Sequence, residues 1–196
     1  MAARRKVLVA GAGVLGLAAA LALADAGFAV EVYDPAAPAD NASGVAAGML
    51  APACEAALDP AAHAHFDLLA AARDLWPAFA ARAGIDLDRA AALAVGGADW
   101  IAHVARHVAD LGVRFRSVTR AGFEAAAPGL ASDLCEGLLV AGDWRIDARQ
   151  GLAALRHAAE ASGVVFHQAP APRDAGHDLM VLATGAAPGF APELSV

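Results

Sequence analysis

The residues with the clearest chemical pattern lie near the start of the chain, in the run Gly11-Ala12-Gly13-Val14-Leu15-Gly16. Glycine at the first position permits a sharp turn, and at the second it lets the backbone approach a pyrophosphate. At the third position it lets a helix pack closely on a strand. A helix that begins at this turn directs free N–H groups and its positive dipole end at anionic phosphates. The pattern therefore predicts a dinucleotide-binding turn.

An acidic residue follows at the spacing that such a turn requires. Asp34 closes the alternating segment Ala29–Asp34 and stands 18 positions after Gly16. A carboxylate there accepts hydrogen bonds from a ribose 2′-hydroxyl and repels a 2′-phosphate. The glycine and acid pattern alone does not choose between NAD and FAD.

The segments around the glycines supply the elements that must position them. Lys6–Ala10 is short and rich in valine and leucine, which predicts a buried parallel strand. Val14–Ala26 reads as a helix with Gly27 at its C-terminal cap, and Ala29–Asp34 reads as the next strand. The order strand, turn, helix, strand predicts an α/β fold with a Rossmann-like domain.

The same stretch also has features of a secretory signal peptide. Positively charged residues precede 18 uncharged residues, Val7–Ala24, which end on Ala22-Leu23-Ala24. Eighteen residues also reach the lower bound for a membrane span. A signal peptide needs neither three spaced glycines nor a following strand and acid. We therefore expect the first residues to be retained and the segment to bind a nucleotide.

Composition and charge exclude several classes of partner. The formal net charge is −7 and the basic residues are scattered, which argues against nucleic acid or an anionic membrane. The 59% hydrophobic content is largely alanine and favours helices over membrane spans. Cys54 and Cys135 lack metal-ligand spacing and indicate reduced thiols in a cytoplasmic protein. For Cys54 itself, a buried thiol is favoured over an active-site role.

Two histidine pairs are candidate metal ligands. His63 and His65 form an HxH pair, and His103 and His107 stand four positions apart in a predicted amphipathic helix. Either pair could chelate a metal, but no third ligand is evident from the sequence. Histidines on helix surfaces are the favoured interpretation, and we expect no metal.

A run of small residues, Asn41–Pro52, shows little periodicity and is poor material for a core. It suits a backbone that lies against a large planar ligand, and a flexible alanine-rich loop is the alternative. Further along, the pattern predicts short strands and helices. They are strands at Ala92–Val95, Val113–Ser117 and Gly137–Ala141, helices at Asp99–Leu111 and Ala148–Ala161, and a helical turn near Gly122–Ala127. Asp147 is the predicted N-cap of the helix at Ala148, and Asp143–Arg145 the predicted end of a strand and a turn.

These segments resemble FAD-dependent amine oxidases of the D-amino acid oxidase family, particularly the glycine oxidase group of thiamine biosynthesis. The resemblance rests on VLVAGAGVLGLAAALALADAGFAVEVYD and ASGVAAGMLAP, supported by DWRIDARQGLAALRHAAEASGVVF and DLMVLATGA. It implies a Rossmann-like, glutathione-reductase-like FAD-binding domain with the start of an inserted α+β substrate domain. The FAD-binding domain would comprise residues 1–90 and 143–196, and the partial substrate domain residues 91–142.

The resemblance also implies non-covalent FAD and the residues around it. The glycine turn would hold the pyrophosphate, and Asp34 the ribose. The small-residue loop would lie along the pyrophosphate and flavin, the ATG turn near the ribitol, and Ala171 at the adenine. The implied cofactor-binding residues are Gly11, Ala12, Gly13, Val14, Gly16, Asp34, Ser43, Ala46, Ala47, Gly48, Met49, Ala171, Ala183, Thr184 and Gly185.

The implied reaction is oxidation of the amine of glycine or a D-amino acid. A hydride passes to the flavin, the imine hydrolyses to an oxoacid and ammonia, and oxygen is reduced to hydrogen peroxide. The family's substrate-binding arginine and tyrosines lie beyond the ATG turn, and this chain ends at Val196. We therefore expect the N-terminal half of an oxidase and assign no catalytic residue. A non-catalytic dinucleotide-binding fragment or module is the alternative. The exact amine, the electron acceptor and homo-oligomer formation stay open.

Overall fold

The computed structural model describes residues 4–122, 127–130, 136–173 and 176–186. The chain divides into two compact units. The first unit comprises residues 1–47, 80–86 and 147–196, and the second comprises residues 48–79 and 87–146. In sequence, the first unit therefore encloses the second.

The elements follow one another along the chain as a mixture of strands and helices. The strands are β1 (Lys6–Ala10), β2 (Ala29–Tyr33), β3 (Met49–Leu50), β4 (Leu87–Asp88), β5 (Ala92–Gly96), β6 (Phe115–Thr119), β7 (Glu136–Val140), β8 (Trp144–Ile146), β9 (Val165–His167) and β10 (Leu179–Leu182). The helices are α1 (Val14–Asp25), α2 (Pro52–Leu58), α3 (Pro60–Ala64), α4 (Phe66–Ala83), α5 (Ala98–Asp110) and α6 (Ala148–Ala161), with a 3₁₀ helix at Ala42–Val45.

The first unit is built on a parallel sheet with strand order β10-β1-β2-β9. Val7, Leu8 and Val9 of the inner strand β1 have no exposed surface. Such a continuous apolar run is typical of a parallel strand that is buried on both faces. Helices α1 and α6 pack against each other in the same unit. The predicted α/β fold with a Rossmann-like parallel sheet is confirmed.

A polar cluster that the sequence did not predict lies on β2 and β9. Glu31 Oε2 accepts hydrogen bonds from His167 Nε2 at 2.8 Å and from the Tyr33 hydroxyl at 3.1 Å. The rings of Tyr33 and His167 stack with centroids 4.2 Å apart. Burial raises the pKa of Glu31, but the hydrogen bonds from His167 and Tyr33 outweigh it and leave the pKa below its usual value.

The second unit contains two antiparallel sheets, with strand orders β3-β8-β4 and β5-β7-β6. Helix α5 presents Ile101, Val104 and Val108 to a core that includes Leu138 and Val140 of β7. All five side chains are at most 5% exposed. The apolar positions of α5 recur at helical spacing, so one face of the helix covers one face of the sheet.

Asp143 is the buried acidic residue of this unit, with no exposed surface. Its two carboxylate oxygens accept hydrogen bonds from the backbone N–H groups of Ala53 at 3.0 Å and Cys54 at 2.8 Å. These donors belong to the first turn of α2, which has no partner for them within the helix. Asp143 therefore joins the start of α2 to the segment that precedes β8.

The predicted elements are largely confirmed, with two corrections. Strand β6 begins at Phe115 rather than Val113, because the chain after α5 turns through Gly112 (φ +68°) and Val113 donates to the carbonyl of Val108. Trp144 lies in a strand rather than a turn, because β8 pairs with both β3 and β4. The predicted helical turn near Gly122–Ala127 falls mainly on residues 123–126, outside the described residues.

The predicted domain division differs from the compact units in one main segment. Residues 48–79 group with the second unit, because β3 pairs with β8 and α2 packs on α5. The assignment of residues 1–90 and 143–196 to a cofactor domain stays a prediction. Within the described ranges, no helix is both long and apolar enough to cross a bilayer.

Replacing Asp143 by alanine should destabilise the protein by about 2–3 kcal/mol, because two buried N–H groups lose their acceptor. The matched control is Asp147→Ala, which removes the exposed N-cap of α6 that accepts from Gln150 N–H, and should cost about 1 kcal/mol. Urea unfolding followed by circular dichroism measures both losses. A loss for Asp143→Ala no larger than that for Asp147→Ala would contradict this role.

Candidate functional site

The candidate site lies at the carboxyl ends of three neighbouring strands of the parallel sheet. The glycine turn follows β1, Asp34 follows β2, and Ala183 follows β10. Strand β1 lies between β2 and β10, so the chain's path across the sheet reverses beside it. In open α/β sheets, ligands bind in the crevice at such a reversal.

At Gly11 and Gly16, neighbouring carbonyl groups lie so close to the backbone that a side chain has no room. Gly11 has φ +106°, and a Cβ there would overlap the carbonyl group of Ala183. A Cβ on Gly16 would overlap the carbonyl oxygen of Gly11 and lie 3.4 Å from the Cβ of Ala183. The turn, the start of α1 and the segment after β10 therefore meet by close contact. The sequence predicted the sharp turn at Gly11 and the close packing at Gly16, but not the contact with the segment after β10.

The N-terminus of α1 opens at this turn. Gly13 is the N-cap in an extended conformation, and Leu17 N–H is the first amide to bond within the helix, to Gly13 O at 2.9 Å. The amides of Gly13, Leu15 and Gly16 precede that bond and form a donor set suited to an anionic group. This donor set fits the pyrophosphate of a dinucleotide.

Ser43 lies over the start of the same helix. Its Oγ accepts a hydrogen bond from Val14 N–H at 3.1 Å, and a Cβ on Gly13 would lie 3.1 Å from that oxygen. Asn41 orders the surrounding loop, because its Oδ1 accepts from Gly44 N–H at 3.1 Å. Sequence reasoning missed Asn41, although asparagine before a helical turn is a common N-cap.

Asp34 is oriented by the backbone on both sides. Its Oδ2 accepts from Ala12 N–H at 2.7 Å, and its Oδ1 accepts from Ala36 N–H at 2.9 Å. Each carboxylate oxygen can accept a second hydrogen bond, so the group keeps capacity for ribose hydroxyls. The contact with Ala12 places the carboxylate beside the glycine turn, in agreement with the spacing argument.

Some of the predicted cofactor-binding residues lie around the glycine turn, and the others lie elsewhere in the two units. Gly11, Ala12, Gly13, Val14, Gly16, Asp34, Ser43 and Ala183 lie together in the first unit. In the same unit, Ala46 and Ala47 are exposed, Ala171 and Thr184 are half-buried, and Gly185 is exposed with φ +61°. Gly48 and Met49 belong to the second unit, where Gly48 O accepts from Ile146 N–H.

Cys54 has the environment of a structural thiol. Burial, and then the negative charge of Asp143, raise the pKa of the Cys54 thiol to about 12. The thiol is therefore protonated at neutral pH and is a poor nucleophile. Cys54 is half-buried rather than fully buried, and its raised pKa favours a structural thiol over a catalytic one.

The histidines are arranged differently from the two predicted pairs. The ring centroids of His103 and His107 lie 4.1 Å apart, and that of His63 lies 6.3 Å from His107. Three imidazoles thus meet where the sequence suggested two separate pairs. Within the part of the chain that the structure describes, no group of three or more histidine, cysteine or acidic residues has an arrangement that could hold a metal ion.

A protein-family model described as "FAD dependent oxidoreductase", named DAO, matches residues 6–194. A search of curated protein sequences found no match. Among solved structures, the chain is similar to glycine oxidase from Geobacillus kaustophilus, with a TM-score of 0.68 and 25% identity. That similarity covers 84% of this chain and 47% of the glycine oxidase.

Two other solved structures have the same fold. Iminodiacetate oxidase from Chelativorans sp. BNC1 is 25% identical with a TM-score of 0.66, over 82% of this chain and 46% of that one. L-alpha-glycerophosphate oxidase from Mycoplasma pneumoniae with FAD bound is 18% identical with a TM-score of 0.62, over 85% of this chain and 45% of that one. The chain thus spans about half the length of these proteins.

Gly16→Ala should destabilise the protein by about 2–3 kcal/mol, because the new methyl group overlaps the Gly11 carbonyl. Gly13→Ala in the same turn should cost only about 1 kcal/mol, because alanine is a poorer N-cap than glycine but the Ser43 hydroxyl can move. Urea unfolding of both variants tests this order. Equal losses would show that the close contact at Gly16 does not constrain the turn.

Proposed function

Because this chain belongs to the DAO family of FAD dependent oxidoreductases, we propose that it oxidises the amine of glycine or of a D-amino acid. The cofactor is FAD, as the family description states. The observation that carries the proposal is the turn after β1, where Gly11 and Gly16 leave no room for side chains and α1 opens toward the turn.

The proposal assigns the predicted cofactor-binding residues to the parts of FAD. In the proposal, the amides at the start of α1 bind the pyrophosphate, and Asp34 accepts from the adenosine ribose. Ser43, Ala46, Ala47, Gly48 and Met49 lie along the pyrophosphate and flavin, Ala171 contacts the adenine, and Ala183, Thr184 and Gly185 lie near the ribitol. None of these residues is a histidine or cysteine that could link the flavin, so FAD would be held non-covalently.

FAD, when bound, supplies the two-electron acceptor for the amine. In the overall reaction, the amine, oxygen and water give an oxoacid, ammonia and hydrogen peroxide. The names of the similar glycine oxidase and iminodiacetate oxidase support a small carboxylate-bearing amine and oxygen as the acceptor. A link to thiamine biosynthesis and a cytoplasmic location belong to the same proposal. No residue of this chain is assigned to the chemical step.

A second candidate function is a dinucleotide-binding fragment without turnover. It is favoured by one observation, the alignment of this chain with only 47% of the glycine oxidase from Geobacillus kaustophilus. A chain of this kind would still bind FAD through the first unit. FAD binding and amine oxidation therefore have to be measured separately.

Asp34→Ala should weaken FAD binding about ten- to a hundredfold, because a charged acceptor of the ribose hydroxyls is lost. The matched control is Asp40→Ala, an exposed acidic residue of the following loop, which should bind FAD like the wild type. Quenching of flavin fluorescence on titration measures the Kd, and circular dichroism confirms that both variants fold. An unchanged Kd for Asp34→Ala would remove Asp34 from the site.

Hydrogen peroxide production by the FAD-loaded chain with glycine tests the catalytic part of the proposal. We expect peroxide that depends on glycine and on FAD, measured by a peroxidase-coupled dye. The control is the same preparation with N,N,N-trimethylglycine, which has no N–H bond from which a neutral imine could form. Bound FAD without peroxide from glycine or D-alanine would favour the fragment without turnover.

A further inference from the structure

The second unit contains an open cavity of about 1020 Å³ on one face of the sheet β5-β7-β6. Its wall includes the apolar side chains of Leu93, Val95 and Leu139, together with Arg114 and Arg116. We call this site the arginine cavity. It contains none of the residues that position Asp34 or the glycine turn.

Strand register explains why these side chains share one face. Arg116 pairs with Leu139, and Leu139 pairs with Leu93, so the three residues stand side by side across the sheet. Arg114 directly precedes β6, and it lines the same cavity as Arg116. The opposite face carries Leu138 and Val140 and is covered by α5. The cavity face is therefore the one that the helix leaves open.

The described part of the cavity wall carries two arginines without an acidic partner. In the ranges that the structure describes, neither Arg114 nor Arg116 forms an ion pair, and both are exposed. The other charged groups of the wall are already engaged. Arg145 pairs with Asp88 at 2.6 Å, and the carboxylate of Asp143 is buried on backbone amides. Arg114 and Arg116 thus line the cavity beside its apolar residues without an ion pair in the described ranges.

We infer that the arginine cavity binds the carboxylates of the substrate through Arg114 and Arg116, and that the preferred substrate is an amine with two carboxylate groups. The inference rests on the proposed function and specifies its substrate class. A guanidinium group binds a carboxylate through two parallel hydrogen bonds, a geometry that the ammonium group of a lysine cannot reproduce. The two positively charged guanidinium groups repel each other. A ligand with two carboxylates neutralises both charges, whereas a ligand with one carboxylate neutralises only one of them.

The apolar residues of the wall complete the site. Leu93, Val95 and Leu139 offer contact to a short carbon chain between two carboxylates. A small dicarboxylate matches this combination of charge and apolar surface.

Isothermal titration of the full chain with succinate tests the inference, because succinate has two carboxylates and no amine to be oxidised. At equal ionic strength, we expect saturable binding that is at least tenfold tighter than that of acetate. Arg114→Gln and Arg116→Gln should each weaken succinate binding about tenfold. The matched control Arg106→Gln removes an exposed arginine from α5, on the opposite side of the sheet, and should leave the affinity unchanged.

FAD retention after desalting is recorded on the same samples and reports on the proposed function independently. Suppose that the chain retains FAD but does not bind succinate, or that Arg116→Gln binds succinate as tightly as the wild type. Either result would overturn the proposed anion binding in the arginine cavity and leave the proposed function intact. Succinate binding that depends on both arginines, in a chain that retains no FAD, would uphold the anion site. In that case its assignment to an amine substrate would fail with the proposed function.

Discussion

The first unit depends on the absence of side chains at two positions of one turn. Gly11 and Gly16 let the end of β1, the start of α1 and the segment after β10 touch through their backbones. A methyl group at either position would overlap a carbonyl group, so the three segments would have to separate. Because α1 begins inside this contact, its free amides face the same crevice. The glycines at positions 11 and 16 thus account both for the close packing of these segments and for the position of the free amides of α1.

Two aspartates fix backbone segments in the two units in a similar way. Asp34 accepts from the amide of Ala12 in the turn, and Asp143 accepts from the amides of Ala53 and Cys54 in α2. They differ in exposure, because Asp143 is fully buried while Asp34 is half-buried and can still accept from a ligand. The first arrangement suits a binding site, and the second suits a structural joint.

The sequence predicted the elements between Lys6 and Asp34 well because their signals are local. The glycines, β1, α1, β2 and Asp34 follow one another within Lys6–Asp34, and each has a residue pattern with a known physical cause. The helix at Ala148–Ala161 and its Asp147 cap were predicted for the same reason, and the structure has both. These elements need no information about distant contacts.

Features made by distant residues could not be predicted. Asp143 acts on Ala53, 90 positions away, and His63 meets His107 only through the packing of the second unit. The sequence does not show that Arg114 and Arg116 line one cavity, because that depends on the strand register that places Arg116 beside Leu139 and Leu93. Residues 48–79 read as part of the cofactor domain, because the small-residue loop leads into them. In the structure, β3 of this segment pairs with β8 and α2 packs on α5, and its assignment to a cofactor domain stays a prediction.

In the proposed binding mode, the N-terminus of α1 holds the pyrophosphate of FAD at the glycine turn. Amide NMR of the ¹⁵N-labelled chain, recorded while FAD is added, tests this directly. We expect the N–H resonances of Gly13, Leu15 and Gly16 to move downfield as these groups donate to phosphate oxygens, while the resonances of α5 stay in place. FAD binding that leaves the three resonances unmoved would show that the pyrophosphate does not lie at this turn.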